Sequence, residues 1–179
     1  DPSVQTHATQ LTARLARLTG AEPRLLPVQG VASSKEAKLV MVGDPFVRET
    51  MDLFGCISLA IIGIGAVEPS ELLTRSGNIF SRQELAALTD AGAVGDMSLR
   101  FFDLQGQPVK TPLDERVIGL PLEDLARIPR VMALAGGASK TLAIMGALRT
   151  GVIDVLITDK FTAARLAGEP APSMKGGQP

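Results

Sequence analysis

The sequence predicts an α/β domain: a largely parallel sheet with helices on both of its faces. Three observations carry this. Apolar stretches of strand length alternate with helical patterns along the chain, the mark of βαβ units. The run Leu59 to Ile64 is apolar without a break, as expected for a strand covered on both faces. A second apolar stretch, Val131 to Ala135, meets Gly136-Gly137 and then a helical pattern. At 179 residues the chain is about one domain, long enough to bury a core without disulfide or metal staples.

The elements follow in order. Val4, Ala8, Leu11, Leu15 and Leu18 recur at steps of three and four, so a helix opens the chain, with Gly20 placed to stop it. Arg24 to Val28 reads as a short strand. Ser33 or Ser34 caps a helix over Lys35 to Val42. Asp44-Pro45 is an N-cap followed by proline at the first helical position, starting a helix to about Phe54. The strand Leu59 to Ile64 comes next. Ser81-Arg82-Gln83-Glu84 is a capping box, opening a helix that ends at Gly92. Asp96 to Asp103 reads as one strand, with a short one near Val109 and another over Arg116 to Gly119. Pro121 starts a short helix that Pro129 closes. After the strand Val131 to Ala135, a helix runs from about Ser139 to Thr150. Asp154 to Thr158 is the last strand, and a helix follows from Lys160 to Ala167. The domain is expected to span 1–167, with a disordered tail from Gly168 to Pro179.

Charge and composition exclude several functions. Lys+Arg is 18 and Asp+Glu 19, a net charge of -1, so nothing marks a nucleic-acid-gripping face or a polybasic membrane patch. The longest uncharged run, Leu53 to Val67, falls short of the about 20 apolar residues that span a membrane. One cysteine, Cys56, excludes an intrachain disulfide and a Cys-rich zinc site, and one histidine, His7, excludes a multi-histidine metal site. No cofactor is implied. With no Trp, no Tyr and six Phe, there is no aromatic platform for bases. The first residues hold no signal peptide. A chain that begins at Asp1 instead of Met is expected to be a fragment of a longer, cytoplasmic protein.

In parallel sheets ligands sit beyond the carboxyl ends of the strands, so three strand ends matter. In Ala135-Gly136-Gly137-Ala138-Ser139-Lys140-Thr141 two glycines turn the chain into a helix N-terminus, whose free N–H groups and dipole favour an anion. Lys140 adds a positive charge where the dipole disfavours one, so it calls for an anion; together these parts make a phosphate cradle. It is not a Walker A loop, because Ser139 and Leu134 stand where that motif needs glycine. The plain alternative is a tight turn with Lys140 in water. At Gly63-Ile64-Gly65 the bare backbone either lines a pocket or serves packing. Glu68, where a third glycine would stand, argues against a dinucleotide fingerprint. Asp96 in Gly95-Asp96 either binds sugar hydroxyls or acts as a base, or is a turn aspartate. Asp159 is most simply an N-cap, Cys56 a small core residue, and Arg75 a solvated loop arginine.

The strings Gly63-Ile64-Gly65-Ala66, Gly95-Asp96 through Phe101-Phe102-Asp103, Arg116 to Leu120, Ala135-Gly136-Gly137-Ala138-Ser139-Lys140 and Asp154 to Asp159 resemble the effector-binding domain of SorC/DeoR-type sugar-responsive bacterial transcriptional regulators. The resemblance covers nearly the whole chain except the tail. It implies a Rossmann-like fold similar to ribose-5-phosphate isomerase, glucosamine-6-phosphate deaminase and CoA transferases. It implies a pocket that binds a phosphorylated sugar or related metabolite without turning it over. Lys140 is then expected at the phosphate, on the N–H groups of Gly137 to Lys140. Asp96 is expected at the hydroxyls, and Gly63, Gly65 and Ala66 along the wall, with Gly136, Gly137 and Ser139 completing the cradle. Assembly into dimers or tetramers is implied, as is control of DNA binding through an attached helix-turn-helix that this chain lacks. The family domain also begins earlier, with a strand and a glycine-rich turn absent here. The competing reading is a sugar-phosphate isomerase or deaminase on the same architecture, and a third is a purely structural oligomerisation domain.

Overall fold

The structure, a computed structural model, describes residues 2–67 and 80–168. The segment with Glu68 and Arg75 and the tail beyond Gly168 lie outside the described residues. Helix α1 (Pro2–Thr19) follows the three-four apolar spacing and ends at Gly20, whose φ is +69°. Helix α2 (Lys35–Gly43) is capped by the Ser34 hydroxyl, which accepts from the Ala37 N–H at 3.1 Å. Helix α3 (Pro45–Asp52) is capped by Asp44, whose Oδ1 accepts from Phe46 at 2.9 Å. The strand expected over Arg24 to Val28 does not form. Pro23 and Pro27 remove the N–H groups that a ladder there would need. The nearest pairing is an isolated bridge between Val31 and Val117. That bridge is also all that forms of the strand expected over Arg116 to Gly119, and the one expected near Val109 is reduced to a bridge between Phe102 and Pro108.

Strands β1 (Ala60–Gly63), β5 (Val131–Leu134) and β6 (Val155–Ile157) form a parallel sheet in the order β1-β5-β6. A second, antiparallel sheet has the order β2-β3-β4, from β2 (Gly65–Ala66), β3 (Ala93–Met97) and β4 (Arg100–Asp103). The stretch read as one strand from Asp96 to Asp103 is therefore a hairpin. Its turn residues, Ser98 and Leu99, both have positive φ, at 52° and 63°. Tight hairpin turns favour Asn and Gly at those positions, so Ser-Leu gives no local warning of one. Helices α4 (Arg82–Asp90), with its capping box, α5 (Leu122–Leu125), α6 (Thr141–Arg149) and α7 (Lys160–Leu166) complete the described elements. The mixed α/β architecture, with a parallel sheet flanked by helices, is the one the sequence predicts.

The hairpin divides the core. Successive residues of a strand face opposite sides, and Phe101 and Phe102 do so here. Phe102 packs with Ile64, Met97, Leu125, Val131 and Ile144, between the hairpin, α6 and the parallel sheet. Phe101 packs with Val31, Phe80, Leu88, Leu113 and Val117, and meets Phe80 edge to face with ring centroids 6.3 Å apart. The run Leu59 to Ile64 is not covered on both faces among the described residues. Ala60 and Ala133 are buried on the core side, while Ile61, Leu134 and Ile157 on the alternate side are about half exposed. Cys56, expected in the core, is exposed in the 3-10 turn Leu53–Cys56 that follows α3.

Candidate functional site

The chain leaves β1 at Gly63, buries Ile64, and turns into β2, which pairs with β3 so that Gly65 lies opposite Asp96 and Ala66 opposite Gly95. This register explains Gly65. A Cβ there would overlap Asp96 Oδ1 and stand 3.1 Å from its Cγ. The bare backbone lets the carboxyl lie across the strand. No such demand falls on Gly63, where a Cβ would meet nothing within 4 Å.

Asp96 is 7% exposed. Its Oδ2 accepts from the Leu99 N–H at 3.1 Å, which closes the hairpin turn. Burial pushes its carboxyl above the usual carboxylate range, opposed by that hydrogen bond and by the positive charge of Lys140. Lys140 comes from beyond strand β5 of the other sheet. It ends the 3-10 turn Ala138–Lys140 that leads from β5 into α6, and its Nζ donates to the Ile64 carbonyl at 2.8 Å. The structure thus gathers Ile64, Gly65, Asp96 and Lys140, residues up to 76 positions apart, and packs the 138–140 turn on β2.

The Gly136-Gly137 turn differs in one respect from the sequence expectation. The Gly137 N–H is not open to a ligand: it is donated to Asp159 Oδ2 at 3.0 Å and to Thr162 Oγ1 at 2.9 Å. The Lys140 N–H goes back to the Gly137 carbonyl at 3.1 Å. Of the four amides expected to hold a phosphate, those of Ala138 and Ser139 keep no partner among the described residues, and both residues are exposed.

Asp159 is the N-cap that its position suggests, with Oδ1 accepting from Phe161 and Thr162 at 3.0 and 2.9 Å. Hydrogen bonds from Thr162, Gly137 and Phe161 hold its carboxyl down at about 2. Its reach to Gly137, 22 residues away, and the part played by buried Thr162 have no local sequence signal. Nor does Thr158, whose buried hydroxyl finds no partner among the described residues. His7 lies in α1. Among the described residues no group of three His, Cys, Asp or Glu could hold a metal ion, and no helix is long and apolar enough to cross a membrane.

Comparison with known proteins gives this arrangement a setting. The family described as "Putative sugar-binding domain" matches residues 1–167. The erythritol catabolism regulatory protein EryD of Brucella abortus is 37% identical over 158 residues, covering 88% of this chain and 49% of that protein. The deoxyribonucleoside regulator of Bacillus subtilis is 31% identical over 166 residues, covering 93% of this chain and 52% of that protein. A crystal structure from Vibrio fischeri, described as a sugar-binding domain of a transcriptional repressor, superimposes with a TM-score of 0.77 at 34% identity. The match covers 87% of this chain and 62% of that one. The chain spans about half the length of these two full-length relatives.

Proposed function

The chain belongs to the sugar-binding domain family, whose relatives here are bacterial transcriptional regulators, and we propose that it is the effector-sensing part of such a regulator. The effector is a phosphorylated sugar or a related metabolite. One observation carries the reading: the buried carboxyl of Asp96 on β3 and the helix-start Lys140 beyond β5 converge on the backbone of Ile64 and Gly65. A phosphate would take the Ala138 and Ser139 amides and the charge of Lys140, which would give up the Ile64 carbonyl. Asp96 would meet the sugar hydroxyls, and Gly63 to Ala66 would line the wall. Gly136 and Gly137 supply the turn.

Binding without turnover is the better account of Asp159. Four donors occupy its two oxygens, and a carboxyl held at about 2 is a weak base. Control of DNA would come through a separate part of the regulator. The effector would act by preferring one arrangement of a homo-oligomer over another, since equal affinity shifts nothing. The half-exposed Ile61, Leu134 and Ile157 on one sheet face support such assembly.

Calorimetric titration with matched sugars and sugar phosphates tests the reading. Phosphorylated sugars should bind and their parents should not. Lys140→Ala should cost about 1.5–3 kcal/mol of binding free energy, the worth of a hydrogen bond to a charged group. Equal affinity in the variant would remove Lys140 from the site, and conversion of the sugar phosphate during titration would replace sensing by catalysis.

A further inference from the structure

The turn that carries the two open amides is held by a different element. Gly137 adopts φ 101° and ψ 150°, neither helical nor accessible to most L-residues. A glycine in that region has many other conformations open to it, so something must select this one. The selection comes from the start of α7. Asp159 Oδ2 and Thr162 Oγ1 both accept from the Gly137 N–H, at 3.0 and 2.9 Å. The Thr162 hydroxyl donates to the same Oδ2 at 2.6 Å, and the Thr162 side chain is fully buried. Oδ1 meanwhile caps α7. The carboxylate therefore divides its two oxygens between its own helix and the turn beyond β5. The preceding residue is shaped to it, because a Cβ on Gly136 would stand 2.5 Å from Asp159 Oδ2.

We propose that Asp159 and Thr162 are positioning residues for the anion site: they fix the Gly136-Gly137 turn so that the Ala138 and Ser139 amides stay unengaged and Lys140 starts the helix. The inference rests on the effector-binding reading above. It also accounts for the choice of amides. An anion on the Gly137 N–H would face the Asp159 carboxylate directly, and like charges at such range repel. Engaging that N–H internally moves the anion one and two residues along, to Ala138 and Ser139 beside Lys140.

Thr162 separates the tether from the helix cap, and Asp159 joins them. Thr162→Val keeps the shape and removes the hydroxyl, while Thr162→Ser restores it. Asp159→Asn keeps one carbonyl oxygen, which can serve the cap or the turn but not both. The probe is inorganic phosphate, titrated into 15N-labelled protein and read on backbone amides by NMR. In the wild type, phosphate should move Ala138 and Ser139 and leave Gly137 nearly still. In Thr162→Val and Asp159→Asn the Gly137 amide should shift upfield and exchange faster before any phosphate is added. Phosphate affinity should fall by about three- to tenfold, the fold-change of one lost ordering hydrogen bond, and Thr162→Ser should recover both readouts. If wild-type Ala138 and Ser139 respond but the two variants bind phosphate as tightly as the wild type, positioning is refuted and the effector site stands. If phosphate moves neither amide in the wild type, the site reading falls and this proposal falls with it.

Discussion

Replacing Gly65 by alanine should destabilise the fold, whereas the same change at Gly63 should not. A methyl at Gly65 would overlap Asp96 Oδ1 and stand 3.1 and 3.6 Å from Cγ and Oδ2. Carbon contacts settle at about 3.5–4.0 Å, so the carboxyl must move. It has little room, being 7% exposed and tied to the Leu99 N–H at 3.1 Å. Losing that hydrogen bond costs about 0.5–1.5 kcal/mol, and overpacking a buried position about 1–3 kcal/mol. Gly65→Ala should therefore lose about 1.5–4.5 kcal/mol. Gly63→Ala, with nothing within 4 Å of its Cβ, should stay within about 0.5 kcal/mol of the wild type, as for a surface change. Urea unfolding of both variants gives the comparison, as a change of midpoint at constant slope. Sugar-phosphate binding should fail in Gly65→Ala, because the displaced Asp96 carboxyl leaves its place. Equal midpoints for the two would refute the claim that the carboxyl rests on bare backbone at Gly65.

Further expectations follow from the same geometry. Burial raises the Asp96 carboxyl above 3.8, so the folded chain keeps a proton that the unfolded chain releases. Stability should then fall as pH rises from that ordinary value through the raised one. Asp96→Asn, whose amide oxygen still accepts from Leu99, should flatten that slope; parallel urea profiles of the two proteins across the acid range would contradict the assignment. Ser98, exposed at φ 52°, should accept asparagine with a gain of roughly 0.5–1 kcal/mol, since Asn tolerates this region in tight hairpins. An unchanged or lower melting temperature in Ser98→Asn would argue against that turn.

What the sequence made legible was local. Ser34, Asp44, Ser81 and Asp159 each cap the helix they announce through amides two or three residues on. Over Arg24 to Val28 apolar content points to a strand, but Pro23 and Pro27 withhold the N–H groups that a ladder needs. The hairpin at Ser98-Leu99 leaves no signal in its turn residues, because its backbone is held by Asp96. The candidate site was legible as a set of strand ends, since topology alone puts ligands there. Which group serves which was not legible. Gly63 and Gly65 look alike in the sequence, and only the register of β2 against β3 tells them apart.

The two aspartates sort themselves by environment. Asp96 is buried with one backbone donor, and burial favours its neutral form against the pull of Lys140. Asp159 lies at the surface with four donors on its two oxygens, which favour its charged form. With one backbone donor on Asp96, its carboxyl has hydrogen-bonding capacity left for hydroxyl groups; the Asp159 carboxylate is saturated, and what it accepts here is the chain itself. Their pH responses therefore run in opposite directions. The contribution of Asp159 is present above the ordinary carboxylate value of 3.8 and is lost as pH falls towards about 2. That of Asp96 is present at low pH and is lost as pH rises through its raised value. On the effector-binding reading, an incoming phosphate that draws the Lys140 ammonium away from Asp96 would raise that carboxyl further. Effector binding should then be accompanied by proton uptake in the pH range where Asp96 titrates. Calorimetry in buffers of different ionisation enthalpy would read that uptake directly, and no dependence on buffer across that range would show that Lys140 and Asp96 do not share the ligand.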